Sequence, residues 1–172
     1  MPTDDWSALL QTIEAGMWAG LIYPDHVPRI AAELLADGYD SPALRDLAGA
    51  DLEPTDPRDF RDAFLRLLDE QHIEDPTPED RTQLASHLLA QAVRAGGLSL
   101  REGVHRASRL TIAAGYPRGP LMTLYGLDDE WGEGWGRGEQ VVEREARRSF
   151  DELGEGAPLV PAVVIQALLV SR

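Results

Sequence analysis

Four histidines are the first side chains in this sequence that could hold a metal or move a proton. Glu102 and His105 are three residues apart, the spacing with which some helical bundles bind paired metal ions, and Asp69 with His72 repeats it. Such a centre also needs two further inward carboxylates, and the apolar stripes of this chain contain none. Glu102 has a second explanation, because Ser99 and Glu102 fit a capping box that opens a helix. We therefore expect no bound metal, with a metal or small-ligand site at Glu102 and His105 as an alternative.

Motifs for covalent and phosphate chemistry are missing from the sequence. There is no cysteine and all 16 basic residues are arginine, which excludes thiol and lysine nucleophiles and the P-loop lysine. Ser86 and His87 are adjacent, so on a helix they point in different directions. The glycines at 132, 134, 136 and 138 match no dinucleotide or phosphate motif. We expect no enzymatic activity and no cofactor, although a catalytic site assembled from distant residues would leave no such pattern.

Charge is distributed unevenly along the chain. The 172 residues include 30 acids and 16 bases, a net charge of -14. Residues 37–80 contain 14 acids and 4 arginines, and residues 128–155 contain 10 acids and 4 arginines. Residues 81–127, between them, contain a single acid and 6 arginines. The negative excess disfavours nucleic acid and anionic membranes as partners, because like charges repel.

Acidic and aromatic side chains in the two negative segments form the candidate binding site. Asp59, Asp62 and Asp69 are three and seven residues apart and share roughly one helix face. In the second segment two tryptophans lie among glycines and acids, which indicates a loop whose rings either complete the core or anchor a partner. The candidate contacts are Asp56, Asp59, Asp62, Asp69 and Glu70 on the helix, with Asp128, Asp129, Glu130, Trp131 and Trp135 on the loop.

From these features we predict a non-enzymatic, acidic protein-binding module. Its partner would be a basic protein, because complementary charge speeds association and discriminates among partners. One concrete version is an immunity or antitoxin-like inhibitor, whose carboxylates take the places of substrate phosphates on a basic toxin such as a nuclease. Two interpretations compete with this one. In the first, the acids pair with mid-chain arginines or only solvate the surface. In the second, the chain is a structural subunit that self-associates through residues 157–170.

Capping signals and apolar periodicity predict the helices that must position these residues. Ser41, Asp56 and Thr77 each precede a proline, the arrangement of an N-cap followed by the first helical residue. Between these marks apolar residues recur every three or four positions, as on the buried face of a helix. We predict an all-α fold, a single domain over residues 1–172 built from about seven to nine short and medium helices.

Residues 157–170 are the ambiguous element. Their β-branched side chains favour a strand, whereas a segment that is apolar on all sides also fits a buried helix. We choose the helix because no partner strand is evident, and the strand stays an alternative. The segment is shorter than the roughly 20 residues that span a bilayer, and the amino terminus shows no secretion signal. With a composition rich in arginine, alanine and glycine, these features predict a cytoplasmic bacterial protein.

Overall fold

The protein is all-helical in the computed structural model, which describes residues 3–50, 57–133 and 136–168. Within these ranges there are nine α-helices, one short 3₁₀ helix and no strand, so the predicted all-α bundle of seven to nine helices is confirmed. The 3₁₀ helix, Pro24–His26, directly precedes α2. The α-helices are α1 (Thr3–Trp18), α2 (Val27–Ala36), α3 (Pro42–Ala48), α4 (Pro57–Glu70), α5 (Pro78–Arg94), α6 (Leu100–Ala113), α7 (Pro120–Glu133), α8 (Glu139–Leu153) and α9 (Ala162–Ala167).

Side-chain caps begin two of these helices at the predicted serine and threonine. Ser41 Oγ accepts a hydrogen bond from the N–H of Leu44 at 3.1 Å, at the start of α3. Thr77 and Asp80 form a reciprocal capping box at the start of α5. Each cap satisfies backbone N–H groups that have no partner within the helix. Proline at the first helical position lacks an N–H that would need one.

The helices form two groups around a continuous hydrophobic core. In the first group α2, α3 and α4 pack together with the 3₁₀ helix, and in the second α5, α6, α7 and α8 pack together. Helix α1 packs on α5, and its Trp6 stacks on Tyr39 of the first group with ring centroids 4.4 Å apart. Helix α9 packs on both α2 and α5. The first and last helices therefore join the two groups.

Two polar contacts hold the carboxyl-terminal end of α9 between the two helix groups. A ring nitrogen of His26 lies 3.0 Å from the carbonyl oxygen of Ala167, and Nη1 of Arg106 donates to the carbonyl oxygen of Leu168 at 2.7 Å. A guanidinium at the carbonyl end of a helix complements the negative end of its dipole. The apolar side chains of α9 and its C-cap residue that are buried within the chain are Val164, Ile165, Ala167 and Leu168.

The acidic stretch that begins at Asp128 is helical up to Glu133, so the predicted loop is wrong for these residues. Helix α7 starts at Pro120 and runs straight through them. Its apolar residues recur at spacings of three, three and four, which keeps one stripe on the core side through the acidic stretch. The members of this stripe are Leu121, Leu124 and Leu127, which are buried, and Trp131, which is half-buried against the core.

The predicted helix over residues 157–170 forms only at Ala162–Ala167 within the described residues. Residues 157–161 are irregular, because Pro158 and Pro161 lack an N–H and disfavour helical geometry in the residue before them. The amide of Gln91 holds this stretch: its Nε2 donates to the carbonyl of Pro158 at 2.6 Å, and its Oε1 accepts from the N–H of Val160 at 3.0 Å. The Leu159 side chain between them is 95% exposed. None of the described helices is long and apolar enough to cross a lipid bilayer.

Candidate functional site

The acidic residues predicted on one helix lie on the exposed side of α4. Asp59, Asp62 and Asp69 are exposed and form no ion pair within the described ranges, while Phe60 and Phe64 on the opposite side are 5% and 1% exposed. Successive helical residues turn by about 100°, so the three aspartates and Glu70 fall within an arc of about 100°. Four of the predicted contacts therefore share one surface.

The arginines of α4 only partly neutralise this arc. Arg66 lies within it, whereas Arg58 and Arg61 lie outside it. By the same rotation, Arg58 lies about 20° and Arg61 about 80° beyond the edge of the arc. The surface beside α3 thus keeps a negative excess.

A groove of about 470 Å³ lies between α3 and α4. Apolar side chains, among them Leu47, Phe60 and Ala63, form its floor, and charged side chains form its rim. We call this surface the acidic groove. It comprises that floor, the groove-lining Asp46, Asp59, Glu70 and Arg66, and the neighbouring Asp62 and Asp69. The sequence reasoning missed Asp46 and Arg66, because nothing in the spacing along the chain shows that α3 lies beside α4.

Glu70 has a structural role at the end of this groove. Its Oε2 accepts a hydrogen bond from the N–H of Ala43 at 2.9 Å, in the first turn of α3. A carboxylate at this place satisfies a free N–H and complements the positive end of the helix dipole. Glu70 therefore fixes α3 against α4, which sets the width of the groove.

Glu130, in the second predicted segment, is engaged inside the fold. Its side chain is 9% exposed, its Oε1 accepts from the backbone N–H of Arg137 at 2.6 Å, and its Oε2 accepts from Nη2 of Arg137 at 2.8 Å. Arg137 also pairs with Glu145. The side-chain and backbone hydrogen bonds from Arg137 hold the pKa of Glu130 below its usual range. This carboxylate is not free to meet a partner.

The rest of that segment lies in the other helix group from the acidic groove. Asp128 Oδ2 is 3.3 Å from Nδ1 of His105, Asp129 is exposed, and Trp131 is half-buried against the core. Helix α7 packs mainly on α6 and α8, whereas α4 packs on α2, α3 and the 3₁₀ helix. The structure therefore does not bring the two predicted segments together. The predicted contacts Asp56 and Trp135 lie outside the described residues.

The residues of the alternative metal site have other partners. Ser99 Oγ accepts from the N–H of Glu102 at 3.2 Å, which is one half of the expected capping box. The Glu102 carboxylate accepts from Nε of Arg106 at 2.8 Å, and His105 faces Asp128. In the parts of the chain that the structure describes, no three histidine, aspartate or glutamate side chains are grouped so that they could hold a metal ion.

A second cavity, about 630 Å³, lies where the first half of α5, the α6–α7 turn and the end of α8 meet. His87 lines it, and we call it the His87 cleft. Neighbouring Ser86 is buried and donates to the carbonyl of Thr82 at 2.7 Å, so it does not pair with His87. No motif in the sequence pointed to this cleft, because three elements far apart along the chain build it.

No protein-family model, no curated protein and no solved structure matches this chain. What the protein does must therefore be inferred from its own side chains.

Proposed function

We propose that this chain is a non-enzymatic protein-binding module that recognises a basic protein through the acidic groove. The observation that carries the proposal is the placement of Asp59, Asp62 and Asp69, which are exposed, share one arc of α4 and have no ion-pair partner among the described residues. Unpaired carboxylates on one face produce a negative potential that steers a positively charged partner.

The groove also supports a particular chemistry for the partner's contact segment. Its floor is apolar, around Leu47 and Ala63, and its rim is mostly negative. A volume of about 470 Å³ suits a few anchoring side chains rather than a whole helix. The partner's segment can be a helix or a loop that lies over the groove. It would insert one or two apolar side chains and flank them with arginine or lysine.

The inhibitor version of the function follows from the same charge. The basic active site of a toxin that acts on nucleic acid presents cationic groups that hold phosphates, and aspartate carboxylates form charge-assisted hydrogen bonds with the same groups. We restrict the proposed binding surface to α3 and α4. Glu130 is excluded from it because Arg137 already occupies that carboxylate.

Kinetics with a captured partner test the proposal. The partner would be isolated from the source cells on immobilised wild-type protein, identified, purified and then measured against the triple variant Asp59→Asn, Asp62→Asn, Asp69→Asn. A matched control, Glu33→Gln, Asp37→Asn, Glu139→Gln, removes the same charge from exposed positions elsewhere. Asp59 and Glu139 each lie in the first turn of a helix, so the two sets also disturb helix dipoles alike.

We expect the α4 variant to associate about tenfold or more slowly at low salt, with a weaker dependence on ionic strength, and the control to stay near wild type. Equal slowing in both variants would show that total charge alone matters. Unchanged kinetics in the α4 variant would remove the acidic groove as the docking surface. For the inhibitor version, the partner's own activity is measured with and without the chain.

A further inference from the structure

The His87 cleft has the composition of a small-molecule site and lies in the second helix group, apart from the acidic groove. Pockets for small ligands are mostly apolar, with a few polar groups that fix orientation. The volume of about 630 Å³ has room for a molecule of ten to twenty non-hydrogen atoms, to order of magnitude. The apolar part of the lining consists of Pro78, Ala114, Pro117, Pro120, Leu121 and Leu153.

His87 supplies an unused hydrogen-bond donor to this cleft. Its Nδ1 is buried and has no hydrogen-bond partner among the described residues, whereas Nε2 is not buried. Burial lowers the pKa of the imidazole, so the ring is neutral near pH 7 and carries one N–H. An unpaired N–H is costlier to bury than an unpaired lone pair, which places the proton on Nε2. The ring therefore offers an N–H to an acceptor in the cleft.

Some of the other polar groups in the lining already form hydrogen bonds within the protein, and others have no partner there. The hydroxyls of Thr82 and Ser86 already donate to backbone carbonyls one turn earlier, at 2.8 and 2.7 Å. Arg118 on the α6–α7 turn is exposed, with no ion pair in the described part of the chain. Glu79 and Glu155 are likewise exposed and unpaired there. Of the remaining polar lining residues, Gln83 is exposed and Glu152 pairs with Arg148. The cleft thus presents one free cation, the N–H of His87, the amide of Gln83 and two free carboxylates within the described lining.

We propose that the His87 cleft binds a small zwitterion with an apolar body, such as an amino acid with a large apolar side chain. Its carboxylate is held by Arg118 and the Nε2–H of His87, and its ammonium group by Glu79 and Glu155. Its side chain packs on the prolines and leucines of the lining. A ligand with net negative charge is disfavoured, because the carboxylates of the rim repel it. A zwitterion carries one charge of each sign, so it can pair both with the arginine and with the carboxylates of the cleft.

Calorimetric titration with matched compounds tests this assignment. Phenylalanine is the first probe, with phenethylamine, which lacks the carboxylate, and 3-phenylpropanoate, which lacks the ammonium group. Leucine is the second amino acid probe. We expect phenylalanine or leucine to bind, and both phenylalanine analogues to bind about tenfold or more weakly than phenylalanine. The ring resonances of His87 in the NMR spectrum should shift on binding.

Variants locate the site within the cleft. Arg118→Gln should weaken phenylalanine binding about tenfold or more, because it removes the cation that meets the carboxylate. Arg109→Gln, an exposed arginine outside the lining, makes the same charge change and should leave affinity unchanged. Thermal denaturation of both variants controls for folding, and neither arginine forms an ion pair among the described residues.

Three results would overturn the proposal. The first is that neither amino acid binds at about 10 mM, the range of very weak complexes. The second is that phenethylamine binds as tightly as phenylalanine, since the cleft would then recognise only a cation. The third is equal affinity in the Arg118 and Arg109 variants. None of these results bears on the acidic groove, whose variants lie on α4.

Discussion

Glu14 and Arg81 form an ion pair in the joint between α1 and α5, with Oε2 and Nε 3.0 Å apart. The side chain of Glu14 is 3% exposed and that of Arg81 is 21% exposed. Removing one partner of a buried ion pair is strongly destabilising, because the other partner stays buried without it. The pair is therefore one polar contact on which the packing of α1 against α5 depends.

Arg81→Leu should lower the free energy of unfolding by about 3 kcal/mol, because it leaves Glu14 buried without its partner. Arg148 and Glu152 provide the comparison, since they are also 3.0 Å apart but 80% and 48% exposed. Arg148→Leu should cost less than about 1 kcal/mol. Urea denaturation measures both. Similar losses in the two variants would contradict the interpretation, and adding Glu14→Leu to Arg81→Leu should recover part of the loss.

Gly103→Ala should destabilise the protein by about 1 to 3 kcal/mol through overpacking. A Cβ at this position would lie 2.5 Å from Cγ2 of Val93 and 3.1 Å from Cζ of Phe150, where α6 crosses its neighbours. A helical glycine in open space is the control: nothing lies within 4 Å of a Cβ at Gly126, and Gly126→Ala should raise stability by up to about 1 kcal/mol. The midpoint temperatures of thermal denaturation of the two variants should therefore shift in opposite directions from that of the wild type. Adding Val93→Ala should partly rescue the first variant.

Acidification should destabilise the fold through His87. Burial lowers the pKa of its imidazole, so below the ordinary value of 6.5 the unfolded chain takes up a proton that the folded chain resists. The contribution of neutral His87 to the free energy of unfolding is fully present above that pH and is lost as the pH drops below it. The charged groups that line the same cleft as the ring are Glu79 on α5, Arg118 on the α6–α7 turn, and Glu152 and Glu155 at the end of α8.

The measurement is urea denaturation at about pH 7.5 and about pH 5.5, on either side of the ordinary histidine value. His87→Gln should lose part of the difference between the two conditions. His72→Asn is the control, because His72 is exposed and asparagine tolerates its positive φ of 54°. An identical pH dependence in wild type and His87→Gln would rule out this contribution.

Gln91→Ala should free the stretch around Leu159. The Gln91 amide donates one hydrogen bond to the carbonyl of Pro158 and accepts one from the N–H of Val160, and each is worth about 1 kcal/mol. We expect faster hydrogen exchange at Val160 and faster proteolysis near Leu159, with a loss of global stability below about 2 kcal/mol. Gln140→Ala, at an exposed position of α8, should change neither rate. Unchanged exchange at Val160 would show that the prolines alone hold the stretch.

Local signals predict much of the helical architecture. Ser41 and Thr77 determine where α3 and α5 begin, because a cap and the proline after it act within one helical turn. The predicted loop was wrong up to Glu133, because the glycine and acidic residues after Leu127 are typical of loops. Trp131 continues the apolar stripe, and its packing on the core outweighs the low helix propensity of these residues.

The candidate sites depend on which helices become neighbours, and that cannot be read from spacing. The shared face of Asp59, Asp62 and Asp69 follows from α4 alone, whereas Asp46 joins them only because α3 lies alongside. Glu130 forms an ion pair with Arg137 because the chain turns back at Gly136. The φ of 105° at Gly136 is unfavourable for residues with a side chain. The lining of the His87 cleft requires the same long-range knowledge.

The placement of α9 has a consequence for how the protein folds as it is made. Of the two helices that join the groups, α1 is made first and α9 last. A ribosome-bound chain that stops short of residue 162 therefore leaves uncovered the apolar patches of α2 and α5 on which α9 packs. During that interval the nascent chain offers chaperones and proteases a surface that the completed fold hides.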